Sequence, residues 1–214
     1  MYMPQAFRED DIHVLHAFMR QYSFATLITQ DENAPFASHL PFVLAANDGP
    51  YGTLVAHMAR ANAQWHHFAD GRQVLVLFQG PHAYVSPSWY EVHPSVPTWN
   101  YAAVHAYGTP QVLHDSTVLR GLLQTLVETY EAPRPRPWRF DLPEDYLDSM
   151  LRGIVGFRLR ITRLEGKYKL SQNRPETDQQ RVVQALQAQG DALSSEVARL
   201  MQQRGVGSHI TAPQ

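Results

Sequence analysis

Short strand-like segments recur along the first 162 residues, and they constrain the fold of this chain more than any other feature. Each is rich in β-branched and aromatic residues, and turn sequences such as NDGPYG separate them. The segments are residues 24–29, 36–45, 53–59, 72–80, 82–86, 100–113 and 155–162. In the last, Val155, Phe157, Leu159 and Ile161 alternate with polar residues, as in a half-buried strand. With only one long helix among them, these segments predict an antiparallel β-barrel decorated by helices, in the α+β class.

Helical periodicity appears between and after these strands. Val14, Leu15, Phe18 and Met19 predict a first helix, and Asn62 is placed to cap a short one. Residues 116–131 carry leucines at helical spacing and predict a long helix that starts at Asp115. A brief helix that ends at Gly153 is predicted after it. Amphipathic patterns around 182–186 and 197–201 predict two closing helices, and GVGSHITAPQ predicts a frayed end. We expect a barrel domain over 1–176 and a helical C-terminal extension over 177–214.

Composition excludes several functional classes. The 214 residues include no cysteine, which rules out disulfides, thiolate nucleophiles and cysteine-ligated metals. Lys+Arg number 18 against 20 Asp+Glu, so no global positive field draws the chain to nucleic acid or anionic lipid. No segment resembles a membrane span or a signal peptide. The sequence therefore predicts a soluble cytoplasmic protein without a membrane partner.

The stretch SPSWYEVHPSVPTWNYAAVHAYG, residues 86–108, is dense in aromatic side chains and prolines. Three prolines in its first half exclude a helix, and a hydrophobic core rarely collects so many rings with polar edges. The stretch has three interpretations: a dimer interface, a stacking platform for single-stranded nucleic acid, or a cover for a planar cofactor. Composition does not separate them.

Two polar segments are candidate anion or ligand sites. In LVAHMARANAQW a strand leads to Arg60 and Asn62 at the start of a helix, where backbone N–H groups and a guanidinium suit a phosphate, although a plain surface turn has the same pattern. In KYKLSQNR, residues 167–174, hydrogen-bond donors occupy nearly every position, as in a ligand site or a solvated loop. The eleven histidines form no H-E-x-x-H motif, and no serine lies in G-x-S-x-G. We therefore predict neither a metal site nor a catalytic residue.

The order of six segments resembles the PaiB family of FMN-binding negative transcriptional regulators. They are MYMPQAF, ASHLPF, HMARANAQW, FQGPHAYVSPSWY, VPTWNYAAVHAYG and KLSQNR. The resemblance extends from Met1 to about Met201. It implies an FMN-binding split β-barrel, an antiparallel Greek-key barrel of the pyridoxamine phosphate oxidase-like type. Such proteins are usually homodimers that hold flavin between their subunits.

The resemblance also implies roles for particular residues. The flavin ring would lie against a strand, its ribityl chain and phosphate against a strand end and helix start, and the aromatic stretch would cover it. The implied residues are Ser38, His39 and Leu40 at the ring; His57, Ala59, Arg60 and Asn62 at the ribityl chain and phosphate; Trp99 and Asn100 as the cover; and Lys169 and Gln172 near the phosphate or ring. This assignment makes the aromatic stretch both cofactor cover and dimer interface.

The resemblance therefore implies an FMN-binding regulator or a flavin-dependent redox sensor. A flavin- or haem-dependent oxidoreductase on the same barrel is the alternative, and an empty dimeric barrel is a third interpretation. The regulator role implies a DNA partner, but the sequence offers neither a basic stripe nor a helix-turn-helix pattern. Whether the protein is an enzyme stays open, because any reaction would be that of the flavin.

Overall fold

The computed structural model describes residues 1–31, 34–69 and 71–207. Within these ranges the strands are β1 (Arg8–Glu9), β2 (Phe24–Gln30), β3 (Pro35–Pro41), β4 (Val43–Ala45), β5 (Thr53–Ala59), β6 (Val74–Val85), β7 (Thr98–Leu113) and β8 (Ile154–Lys169). The helices are α1 (Ile12–Gln21), α2 (Ser116–Glu131), α3 (Glu144–Arg152), α4 (Glu176–Ala188) and α5 (Ala192–Gln203). Short 3-10 helices span Gln5–Phe7, Ala63–Phe68 and Pro87–Trp89.

The strands form one mainly antiparallel sheet. Their order is β3-β2-β6-β7-β8-β5-β4, and β1 pairs with β8. The edge strand β3 pairs along its length with β2 and also approaches β5, the strand next to the other edge. A mainly β, α+β architecture is therefore confirmed.

The chain divides into two compact units that share the long strands. We call Ile12–Phe78 with His105–Leu164 the central unit, and Met1–Asp11, Gln79–Val104 and the residues described from Glu165 onward the terminal unit. The predicted division at residue 176 remains a prediction.

The core of the central unit follows from the alternation in β8. Val155, Phe157, Leu159 and Ile161 are buried, as the sequence predicts. The ring of Phe157 meets Phe42 and Phe68 at centroid distances of 6.1 and 5.1 Å. A second cluster joins α2 to α3 through Leu119, Leu122, Leu126, Leu147 and Leu151. Burying each of these leucines contributes about 2 kcal/mol before the entropy of ordering is counted.

The terminal unit is built around α4 and α5, which confirms the two predicted amphipathic helices. Val182, Leu186, Val197 and Met201 are fully buried. Asp191 caps α5 by accepting the Ser194 N–H at 2.9 Å. The predicted frayed end falls partly on residues 208–214, which lie outside the described residues.

Three elements differ from prediction. Residues 72–80 and 82–86 are not two strands, because β6 runs through Gly80 and Pro81 without a break. Residues 36–45 are not one strand, because the chain leaves the β2 side at Pro41, buries Phe42 and pairs with β5 as β4. The Asn62-capped helix exists but is a 3-10 helix.

Candidate functional site

Polar side chains of Thr26, Ser38, His39 and Asn62 meet where β3 passes the 3-10 helix of the central unit. We call these four residues, together with the predicted residues His57, Ala59 and Arg60 at the end of β5, the strand-edge cluster. Asn62 Nδ2 donates to Ser38 Oγ at 2.8 Å, while Asn62 Oδ1 accepts the Gln64 N–H at 3.0 Å. One amide therefore caps the helix and joins it to β3. The structure brings these two predicted site residues into direct contact.

The residues beside Ser38 point alternately outward and inward, because β3 is extended. His39 is exposed and its Nδ1 is hydrogen-bonded to Thr26 Oγ1 at 3.0 Å. Leu40 is buried, opposite Ala25 of β2. At the sheet edge, β3 keeps one row of backbone groups unpaired by the described strands. The exposed His39 ring beside that row is open to a ligand.

Arg60 has a structural role that the sequence did not suggest. Its Nε donates to the Arg152 carbonyl and its Nη2 to the Ile154 carbonyl, both at 2.8 Å. Its backbone N–H donates to the Gly153 carbonyl, also at 2.8 Å. The side chain thus satisfies carbonyls at the end of α3, and only its remaining N–H groups can meet an anion.

The remaining predicted residues of this cluster lie on β5. His57 faces Gly156 of β8, and Ala59 ends the strand opposite Ile154. Burial lowers the pKa of His57 below its usual value, so its ring is neutral at pH 7. Its Nδ1 is buried and has no hydrogen-bond partner among residues 1–31, 34–69 and 71–207. A buried ring nitrogen without a partner is unusual and marks a position that a ligand could satisfy.

Aromatic rings and a lysine gather in the terminal unit, and we call this group the aromatic–lysine cluster (His82, Tyr84, Thr98, Trp99 and Lys169). The Trp99 side chain is 53% exposed. Its ring lies edge-on to Tyr84 at 6.0 Å and 6.1 Å from His82, centroid to centroid. The three rings form a partly exposed aromatic cluster, and an exposed indole within it is a group on which planar ligands stack.

Lys169 is held beside this surface by β7. Its Nζ donates to the Trp99 carbonyl at 2.7 Å and to Thr98 Oγ1. Burial lowers its pKa, and the positive charges of Lys167 and Arg174 lower it further. The pair of bonds fixes a cation at the Thr98 hydroxyl and the Trp99 carbonyl, 5.9 Å from the centre of the Phe7 ring.

Two of the residues predicted to contact the flavin, Asn100 and Gln172, already make hydrogen bonds within the protein. Asn100 is fully buried and exchanges hydrogen bonds with Ser171 at 3.0 and 3.2 Å. Gln172 accepts the Leu170 N–H at 2.7 Å and donates to the Tyr168 carbonyl at 2.5 Å. Both amides shape the turn after β8, where Ser171 has φ +67°. Their roles as cofactor ligands remain predictions.

The sequence analysis missed His82 and Tyr84, although a signal was present. The segment HAYV alternates along an extended strand, which places both rings on one face of β6. His82 Nδ1 is buried and finds no partner in the described part of the chain. Its pairing with Trp99 depends on the order of β6 and β7 in the sheet, which the sequence does not reveal.

Within residues 1–31, 34–69 and 71–207, no group of three or more His, Asp or Glu side chains is arranged to hold a metal ion. No helix in these ranges has both the length and the apolar character that a membrane span needs.

Comparison with known proteins places the chain among flavin-related sequences. Residues 1–163 match the family model described as "Putative FMN-binding domain". The protease synthase and sporulation protein PAI 2 of Bacillus subtilis is 40% identical over 205 residues, which are 95% of this chain and 98% of that protein. An uncharacterised protein of Aspergillus fumigatus is 32% identical over an alignment of 255 residues, gaps included, which covers 96% of this chain and 98% of that protein.

Solved structures support the fold. A FAD and haem binding protein of Mycobacterium smegmatis has a TM-score of 0.58 at 17% identity, over 76% of this chain and 73% of that chain. The flavocytochrome Anf3 of Azotobacter vinelandii has a TM-score of 0.56 at 15% identity, over 76% and 69%. The split-barrel fold is thereby confirmed. Since the family model covers residues 1–163 and the Bacillus relative aligns over nearly its whole length, this chain belongs to the PaiB family of FMN-binding-domain proteins.

Proposed function

We propose that this protein binds FMN noncovalently and acts as a flavin-dependent redox sensor with a regulatory role. The observation that carries the proposal is the half-exposed indole of Trp99, which lies near the rings of His82 and Tyr84 and whose backbone carbonyl binds Lys169. A monomer normally buries such an aromatic cluster or uses it to bind.

The donor set of each cluster suits a part of FMN. The aromatic–lysine cluster offers stacking to the flavin ring and a cation to a carbonyl oxygen or phosphate. The strand-edge cluster offers hydroxyl, amide and imidazole groups suited to the ribityl chain and the polar edge of the ring. The Arg60 side chain is not among these groups, because its guanidinium binds the carbonyls of Arg152 and Ile154. The unpartnered Nδ1 atoms of His57 and His82 are hydrogen-bonding positions that a ligand could fill. When bound, FMN would supply one- or two-electron transfer, and the residues of the chain would bind and orient it.

The proposal extends to a homodimer. This chain resembles the split-barrel flavoproteins, which are usually homodimers. The aromatic cluster of Trp99, Tyr84 and His82 is partly exposed, as expected for a surface that a second copy covers. Light scattering coupled to size exclusion should give about twice the chain mass of 24.3 kDa. A mass of one chain at micromolar concentration would contradict the dimer.

Titration of the cofactor-free protein with FMN tests the binding proposal. We expect quenched flavin fluorescence and a retained yellow colour after desalting, and about tenfold weaker binding for Trp99→Ala, because stacking on an aromatic ring contributes about 1–3 kcal/mol. Trp138→Ala is the matched control, since Trp138 is 50% exposed and lies outside both clusters. Equal affinity of the wild type and both variants for FMN would remove Trp99 from the site. If the wild type retained no flavin after desalting, the binding proposal would be overturned.

A haem- or flavin-dependent oxidoreductase is the second candidate. One structural neighbour is described as binding FAD and haem and another as a flavocytochrome, and the exposed His39 and half-buried His82 offer imidazoles. The visible spectrum separates the candidates: bound haem would give a Soret band that is sensitive to His82→Gln, whereas bound flavin alone would give a yellow protein without a Soret band.

A further inference from the structure

A cavity of about 410 Å³ opens in the central unit, where α2 begins and α3 ends. Its volume is in the range of small-molecule sites in proteins. The residues that line it come from six elements or their ends, including Arg60, Trp65, His114, Leu119, Leu151 and Arg152. Leu119 and Leu151 also belong to the hydrophobic cluster between α2 and α3, and Arg60 is the one residue of the strand-edge cluster in this lining.

One side of the cavity is positively charged. The Arg60 guanidinium is held in place by the carbonyls of Arg152 and Ile154, which leaves its outer N–H groups available. Arg152 is exposed, and its guanidinium has no ion-pair partner among the described residues. The lining also holds one carboxylate, Asp148, so it carries two guanidinium groups against one acidic group; Asp148 lies 3.8 Å from Arg120, which is itself paired with Glu144. The cavity therefore has a net attraction for an anion.

The opposite side is apolar. Leu119, Leu151 and Val155 line it and are at most 6% exposed. Trp65 forms a wall, and its Nε1 donates to the Arg60 carbonyl at 3.0 Å, which fixes the indole next to the arginine. A rigid ring beside a fixed guanidinium suits a ligand with a flat apolar body and an anionic end.

We propose that this cavity is a binding site for a small aromatic carboxylate, separate from the flavin site. The carboxylate lies between Arg60 and Arg152, and the ring packs on Trp65 above the leucines. A free phosphate would bind the arginines but would leave the apolar side of the cavity in contact with water. An aromatic carboxylate binds the arginines and also covers the apolar side, so it contacts more of the lining. The proposal does not rest on FMN binding.

Isothermal titration with three isosteres tests the ligand class. The probes are phenylacetate, the neutral 2-phenylethanol and the cationic 2-phenylethylamine, each added to the full-length protein. We expect phenylacetate to bind at least about tenfold more tightly than the alcohol and the amine not to bind, because the anion meets two guanidinium groups. Equal binding of all three, or no heat from phenylacetate at millimolar concentration, would overturn the proposal.

Variants and competition test the location. We expect Arg152→Gln to weaken phenylacetate binding about tenfold. Arg136→Gln should leave it unchanged, because Arg136 is exposed and does not line the cavity. Near-ultraviolet circular dichroism checks that each variant is folded.

Phenylacetate should bind equally with and without saturating FMN, so displacement by FMN would assign the cavity to the flavin site and refute a separate one. Loss of FMN binding with intact phenylacetate binding would affect only the proposed function.

Discussion

Gly108 of β7 lies where two backbones come unusually close. An ideal Cβ at this position would clash with the carbonyl oxygen of Arg160 and would lie 2.7 Å from Leu159 Cδ2. Because Arg160 is part of β8, its carbonyl cannot yield as the end of a flexible side chain would. Glycine is therefore required here by space.

We predict that Gly108→Ala lowers the free energy of unfolding by about 1–3 kcal/mol, the usual cost of overpacking a core. Urea unfolding followed by circular dichroism measures it. Gly121→Ala is the matched control: nothing lies within 4 Å of a Cβ at Gly121, and alanine should stabilise α2 by up to about 1 kcal/mol. Equal effects of the two substitutions would contradict the steric argument.

His57 links stability to pH. Burial lowers its pKa in the folded state, so the unfolded chain takes up the proton first as the pH falls. The stability contributed by the neutral ring is complete above the unfolded pKa of about 6.5 and declines as the pH falls toward the folded pKa.

We predict that the unfolding free energy of the wild type falls more steeply between about pH 7 and pH 5 than that of His57→Gln, which cannot titrate there. Paired urea titrations at several pH values give the two slopes. His39→Gln is the control, because His39 is exposed. Parallel curves for the wild type and His57→Gln would show that His57 is not the group responsible.

Local sequence predicted the capping role of Asn62 but not the partners of Arg60. The cap depends on a residue two positions away, whereas the carbonyls bound by Arg60 are 92 and 94 positions away. The amides of Asn100 and Gln172 show the same limit. A polar side chain in a sequence suggests a ligand contact, and only the fold reveals that another part of the protein already satisfies it.

At the scale of elements, alternation predicted β8 well because its buried face is constant over residues 155–161. Alternation did not predict β6, because the buried side of this strand switches within it. The buried residues are the even-numbered ones from Val74 to Gly80 and the odd-numbered ones from Pro81 to Val85. Proline lacks an N–H and usually ends a central strand, so the sequence predicted a break. The strand instead continues and changes its buried face.

The proline-rich loop after β6 is tied to α4 by one buried carboxylate. Asp178 is fully buried, and its Oδ1 accepts the Glu91 N–H at 2.8 Å. Its Oδ2 is also buried and has no partner within the described residues. The loop carrying the aromatic residues thus depends on an acceptor supplied from another element.

We predict that Asp178→Ala lowers the unfolding free energy by about 1–3 kcal/mol, because it leaves the Glu91 N–H unsatisfied. The Glu91 amide should also lose its protection from hydrogen exchange. Asp178→Asn keeps an oxygen acceptor and should retain most of both. If the Asn variant exchanged as fast as the Ala variant, the hydrogen bond would not be what holds the loop.

At the scale of the whole molecule, charge bears on how a regulator of this family would act. The formal net charge is -2. The arginines of the C-terminal helices and the turn after them are paired with carboxylates: Arg181 with Glu91 at 2.6 Å, Arg199 with Glu196 at 2.8 Å, and Arg204 with Glu9. Paired arginines are poorly available to phosphates, so this end of the chain is unsuited to gripping a duplex.

We therefore predict that the protein does not bind DNA directly with operator-like affinity. In a gel shift with a promoter fragment, retention should require more than about 1 µM protein, as in non-specific binding, with or without FMN. Glu91→Gln frees Arg181 and should strengthen retention slightly, because it restores one cation to the surface. Nanomolar retention that falls steeply with salt and is lost in Arg181→Gln would show that these arginines do contact phosphates. A regulatory effect without such retention would instead act through a protein partner, whose binding would then depend on the redox state of the flavin.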